Sequence, residues 1–120
     1  MKLGVIGGGA WGTALAQVAA AGGDKVVLWA READVVASIN ASRENSSFLK
    51  GVSLSDQIVA TGDLADLTPC DALLVVTPAQ HMRAVLANTP VGTRPLVLCA
   101  KGIEAETQML MSEVAAQCCP

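Results

Sequence analysis

The sequence has no tyrosine, one phenylalanine and two tryptophans in 120 residues. Small and branched aliphatic side chains must therefore fill its interior, which suits a sheet covered by helices. At this length, with 52% hydrophobic residues, the chain makes one domain with a real core. Positive charge is also short. Eight Lys and Arg face eleven Asp and Glu, a formal net charge of −3, so there is no basic field for nucleic acid or an anionic membrane. No apolar run is long enough to span a bilayer. The first residues lack the charged start and cleavage site of a signal peptide, and glycines break the apolar run. These absences imply a cytoplasmic protein. The single histidine, His81, has no Cys or His at ligand spacing, and Cys70, Cys99, Cys118 and Cys119 form no CxxC pair, which argues against a zinc site. Cys70 and Cys99 read as small core residues, and Cys118 and Cys119 as free thiols near the end of a helix. There is no internal repeat and no low-complexity linker.

What is present alternates between two periods. Short runs rich in Val, Leu and Ile read as buried strands at Leu3–Ile6, Lys25–Trp29, Gln57–Thr61, Ala72–Thr77 and Leu96–Ala100. Helical spacing appears at Ala10–Ala21, stopped by Gly22-Gly23, and at Ala33–Arg43, with Val36 and Ile39 on one face. It recurs at Gln80–Ala87 through Met82, Val85 and Leu86, and at Thr107–Gln117 through Leu110, Met111 and Val114. Asp63 reads as the N-cap of a short turn through Leu67. Runs without clean alternation belong to strands covered on both faces. The expected fold is therefore α/β, a Rossmann-like doubly wound parallel sheet of strand order 3-2-1-4-5. Asn45–Asp56 is a polar loop with Phe48 and Leu49 as candidate anchors. For Phe48, packing of the loop onto the domain is favoured over ligand contact.

Gly7, Gly9 and Gly12 match G-x-G-x-x-G within "GVIGGGAWGTALA". The pattern follows a predicted strand and opens a predicted helix, the context that a dinucleotide-binding fingerprint requires. Gly7 allows the tight turn, Gly9 lets backbone N–H groups approach a pyrophosphate, and Gly12 lets the helix pack close to the strand. The helix N-terminus adds partial positive charge there. At the end of the second strand, "LWARE" places Arg31 where an NAD enzyme usually has an acidic residue. A guanidinium there can pair with a 2′-phosphate or stack on adenine, which favours NADP(H) and leaves NAD(H) possible. Glu32, next to it, is the alternative residue to face the ribose, and a solvated surface charge is the alternative for Arg31.

Ligands bind such sheets beyond the carboxyl ends of the strands. Two further segments end there. In "VVTPAQH", Pro78 stiffens the turn and Thr77 to His81 form a candidate wall beside the nicotinamide, although for His81 alone a place on a helix surface is favoured over cofactor contact. In "LCAKGIE", Lys101 is placed to hold a phosphate or polarise a carbonyl, with an ordinary solvent lysine as the alternative.

The stretches "GGGAWGTALA", "LWAR", "INASRENSSFLKGVSLSDQIVATGDL", "TPAQHMRAVL" and "CAKGIEAETQMLMSEV" together resemble bacterial NAD(P)-dependent glycerol-3-phosphate dehydrogenase, in order and end to end. Asn40, Arg43 and Asn45 combined with "KGIE" and "LMSEV" make the resemblance narrow. It implies reversible reduction of dihydroxyacetone phosphate to sn-glycerol 3-phosphate, for glycerophospholipid synthesis, by an enzyme that is a homodimer at full length. It implies Ala10 and Trp11 at the pyrophosphate turn, Arg31 at the adenosine ribose, His81 where relatives can place a side chain beside the cofactor, and Lys101 on both cofactor and substrate. Ala10 stands where the family often has Ser, "FLKG" where it has "YLPG", and "VTPAQ" where it has "AVPAQ".

In the family, the general acid/base lysine and the phosphate grip lie in a helical domain beyond the "LMSEV" helix. Residues 1–120 are therefore expected to be the N-terminal NAD(P)-binding domain, with no catalytic residue of their own and no turnover alone. A stand-alone dinucleotide-binding redox-sensing module is the second reading. A ketopantoate or hydroxy-acid reductase is the third, opposed by Trp11 and "KGIE".

Overall fold

Aliphatic runs with no polar alternation form the centre of the molecule. A computed structural model of the chain describes residues 2–77, 82–87, 89 and 95–98. Among these residues the strands are β1 (Lys2–Ile6), β2 (Lys25–Trp29), β3 (Ile58–Thr61), β4 (Ala72–Val75) and β5 (Leu96–Leu98). The helices are α1 (Ala10–Ala21), α2 (Ala33–Ser42) and α3 (Met82–Ala87), with a 3-10 turn at Leu64–Leu67. The strands form one sheet in the order β3-β2-β1-β4-β5, every neighbouring pair parallel. This is the doubly wound Rossmann-like topology expected from the sequence. The strand ends differ by a residue or two: β3 starts at Ile58 rather than Gln57, and β4 stops at Val75 rather than Thr77. The expected helix over Thr107–Gln117, the first residues of the one at Gln80–Ala87, and Cys99, Cys118 and Cys119 lie outside the described residues.

Burial on both faces explains the apolar runs. Along β2, Val26 and Leu28 join Val5, Ala16, Val35 and Ile39 on the side of α1 and α2. Val27 and Trp29 join Ile6, Leu67, Cys70, Leu73 and Leu86 on the other side. Successive strand residues thus feed two separate cores. Cys70 lies in the second core, as its size suggested. On α2 the fully buried pair is Val35 and Ile39, one turn apart, while Val36 is only half-buried. Sequence spacing alone had placed Val36 with Ile39.

Local chemistry ends each element. After α1, Gly23 takes a φ of +100°, a region open to glycine and awkward for side chains. Asp63 caps the 3-10 turn by accepting the Ala65 N–H at 3.0 Å, as expected of an N-cap. Arg43 ends α2 in the left-handed region with a φ of 54°. Its guanidinium donates to the carbonyls of Ser55 and Ile58. On the edge strand β3, Asn40 donates to Ala60 O and accepts from Ala60 N, both at 2.9 Å. That side chain satisfies the outer backbone groups that an edge strand leaves bare. Among the described residues no helix is long and apolar enough to cross a membrane.

Candidate functional site

The carboxyl ends of β1, β2 and β4 and the start of α1 enclose a cavity of about 400 Å³. The turn from β1 into α1 forms its floor, and its shape depends on three glycines for three different reasons. Gly7 has a φ of +135°. A Cβ there would also come within 3.0 Å of the Val76 carbonyl. Gly8 has no room on the core side, because a Cβ would sit 2.5 Å from the Ala30 Cβ. Gly12 lies against the turn itself, and a Cβ there would collide with the Gly7 carbonyl oxygen. Gly9 differs from all three: a Cβ would meet nothing within 4 Å. The missing side chain at Gly9 leaves space on the cavity side and relieves no contact within the protein.

α1 begins at Gly9 with no side-chain cap and no acidic residue in its first turn. The Thr13 N–H returns to Gly9 O at 3.0 Å. Among the described residues, the amides of Ala10, Trp11 and Gly12 make no hydrogen bond. The cavity is lined by these residues. Unpartnered first-turn amides combined with the positive end of the helix dipole favour an anion.

Around this floor, Trp11 is 62% exposed, and Arg31 and Glu32 also line the cavity. The Arg31 side chain is 66% exposed, with Nε 4.0 Å from a Glu32 carboxylate oxygen. So loose a pair at the surface contributes little stability and leaves the guanidinium available. Trp29 is buried, its Nε1 donating to Gly62 O at 3.1 Å. At the end of β4, Thr77 is buried and its Oγ1 donates to Ile6 O at 3.1 Å, tying two cavity-lining strand ends together.

Gly7, Gly9, Ala10, Trp11, Gly12 and Arg31 therefore converge on one cavity. Pro78, His81 and Lys101 lie outside the described residues. The sequence reading of Phe48 needs correction. Phe48, expected to pack its loop onto the domain, is 48% exposed, belongs to neither core and lines the cavity. The loop is anchored by Leu54, in the core, and by Asn45, fully buried. Asn45 donates to Gly8 O at 2.7 Å and to Thr13 Oγ1 at 2.8 Å, and accepts the Phe48 N–H at 3.2 Å. Gly8 and Thr13 had no role assigned in the sequence reading, and ligand contact was the less favoured alternative for Phe48. The signal for Asn45 was its position in a family-like stretch, with nothing to say what it touches.

The family model that describes the N-terminus of NAD-dependent glycerol-3-phosphate dehydrogenase matches residues 2–120. The chain is 56% identical to a glycerol-3-phosphate dehydrogenase [NAD(P)+] of Erythrobacter litoralis over 119 residues, covering 99% of this chain and 36% of that protein. It is 56% identical to the protein of the same description from Parvibaculum lavamentivorans over 122 residues, covering 99% of this chain and 37% of that one. Among solved structures, the glycerol-3-phosphate dehydrogenase of Coxiella burnetii superposes with a TM-score of 0.87 at 29% identity, covering 97% of this chain and 37% of that chain. The chain thus spans little more than a third of the length of the relatives it matches.

Proposed function

The chain belongs to the family defined by the N-terminus of NAD-dependent glycerol-3-phosphate dehydrogenase, and on that premise we propose that residues 1–120 form the NAD(P)-binding domain of an enzyme that interconverts sn-glycerol 3-phosphate and dihydroxyacetone phosphate. The observation that carries this reading is the set of unpartnered amides at Ala10, Trp11 and Gly12, facing a cavity that Gly9 leaves open. These residues suit a pyrophosphate: donors without acceptors, a helix N-terminus and no carboxylate in the first turn. A bound nicotinamide dinucleotide would supply or accept the hydride.

In this reading Gly7 and Gly12 set the turn, while Gly9, Ala10 and Trp11 meet the phosphates. Arg31 faces the adenosine ribose, and its exposed guanidinium is the basis for favouring NADP(H) over NAD(H). Phe48 contributes a wall. Pro78 stands beside the nicotinamide by its place after the fourth strand, and His81 beside the cofactor and Lys101 on cofactor and substrate by the family resemblance. The proton donor and the grip on the substrate phosphate belong to the remainder of the enzyme, which acts as a cytoplasmic homodimer in glycerophospholipid synthesis. A stand-alone redox-sensing module is not favoured, because the relatives it matches so closely are described as dehydrogenases.

Calorimetric titration of the chain and of Gly9→Val with NADPH tests the reading. A Cβ at Gly9 meets nothing within 4 Å of the protein, and a branched side chain built on it occupies the space assigned to the phosphates. The expected outcome is a folded variant that has lost NADPH binding. Unchanged affinity in a folded Gly9→Val would remove the glycine turn from the site.

A further inference from the structure

A turn that is to hold an anion has a difficulty of its own. Its amides attract a phosphate, but its carbonyl oxygens repel one, and three consecutive glycines supply both in equal number. Two of those oxygens are occupied by side-chain donors. Gly8 O accepts from Asn45 Nδ2 at 2.7 Å. Gly9 O accepts from Thr13 Oγ1 at 2.8 Å. The same Asn45 Nδ2 donates to Thr13 Oγ1 at 2.8 Å, so the bonds run in one direction, from Asn45 through Thr13 to Gly9.

Asn45 and Thr13 are both fully buried. A buried amide that merely filled space would be replaced by an apolar residue without the desolvation penalty. This amide instead uses its hydrogen-bonding groups on cavity-forming backbone. Its Oδ1 takes the Phe48 N–H at 3.2 Å, while the main-chain carbonyl of Asn45 takes the Leu49 N–H at 2.8 Å. One side chain thus joins the floor of the cavity to the loop that brings Phe48 to its wall.

We propose that Asn45, acting through Thr13, is the positioning residue of the dinucleotide cradle: it holds the carbonyl oxygens of the glycine turn, leaves the amides to the pyrophosphate, and fixes the Phe48 wall. The proposal rests on the nucleotide-binding reading above. The orientation of the amide makes it specific. Aspartate has the same shape and keeps the acceptor for Phe48 N–H, but it donates to neither Gly8 O nor Thr13 Oγ1. A carboxylate would then face two acceptors from inside the cradle.

The test compares Asn45→Asp, Thr13→Val and Thr13→Ser in the full chain, by calorimetry with NADH and NADPH and by thermal melts followed by circular dichroism. Thr13→Ser keeps the hydroxyl and loses the methyl group, so it should lower Tm yet bind within about threefold of the unaltered chain. Thr13→Val keeps the shape and loses the hydroxyl, so it should melt cooperatively yet bind about tenfold or more weakly. Asn45→Asp should lose at least as much. A role in packing alone gives the reverse order, with Ser the worse replacement. Valine binding as tightly as threonine, valine and serine losing affinity alike, or Thr13→Val failing to fold would each overturn the proposal. If Asn45→Asp does not fold, the Thr13 pair decides. If the unaltered chain binds neither dinucleotide, the nucleotide-binding reading falls and this proposal falls with it.

Discussion

Replacing Gly12 with alanine sets two effects of known size against each other. Gly12 lies inside α1, where alanine ordinarily stabilises a helix by about 1 kcal/mol relative to glycine. The added Cβ, however, would collide with the Gly7 carbonyl oxygen and come within 3.0 Å of the Gly7 carbonyl carbon. These are backbone atoms of a turn held by its neighbours, since Gly7 N–H donates to Trp29 O at 2.9 Å. They cannot swing aside as a side-chain end would. Relief requires α1 to move off the sheet, at the upper part of the overpacking range, about 2–3 kcal/mol. Net destabilisation is then about 1–2 kcal/mol, a fall in Tm of roughly 3–10 °C for a domain of this size. Gly9→Ala is the control. Its φ of −73° suits any residue, its Cβ meets nothing within 4 Å, and the poorer N-cap costs about 0.5 kcal/mol. Thermal melts of the two variants side by side measure the difference. A Gly12→Ala chain that melts at or above the unaltered Tm would show that helix propensity prevails and that the close approach is not binding on the fold.

Two other substitutions separate roles that the sequence could not. Arg31→Ala should weaken NADPH more than NADH by about 1–3 kcal/mol, the scale of a charge-assisted hydrogen bond to a 2′-phosphate; equal losses in parallel titrations would indicate stacking or no direct role. Asn40→Ala should cost about 1–3 kcal/mol in urea denaturation, because the N–H and C=O of Ala60 both lose their partner, with dinucleotide affinity unchanged in the folded variant. Unchanged stability would mean that water serves the β3 edge as well as Asn40 does.

The strand order and the place of the glycine turn were legible in the sequence because both rest on periodic or local signals. Apolar runs without alternation report strands buried on two faces, and β2 shows it residue by residue, with Val26 and Leu28 in one core and Val27 and Trp29 in the other. The turn was legible because glycine spacing is itself the geometric requirement. One reading failed and one role went unread where the deciding contact was far along the chain. Phe48 looked like an anchor because it is the only phenylalanine in a polar loop, yet the loop is held by Leu54 and a buried Asn45. Asn45 is linked to residues 32 and 37 positions away, and no local pattern marks a partner at that distance. Gly8 was passed over because it falls between the motif positions, although it has less room for a side chain than Gly9.

The placement of the pyrophosphate at the start of α1 is tested most directly by titrating the isotopically labelled chain with NADPH and following its backbone amide resonances. Hydrogen bonds from Ala10, Trp11 and Gly12 to phosphate oxygens should make those amides the most strongly shifted in the spectrum, saturating together with the binding isotherm. Saturable binding that leaves these amides unmoved while others shift would contradict the site as drawn here.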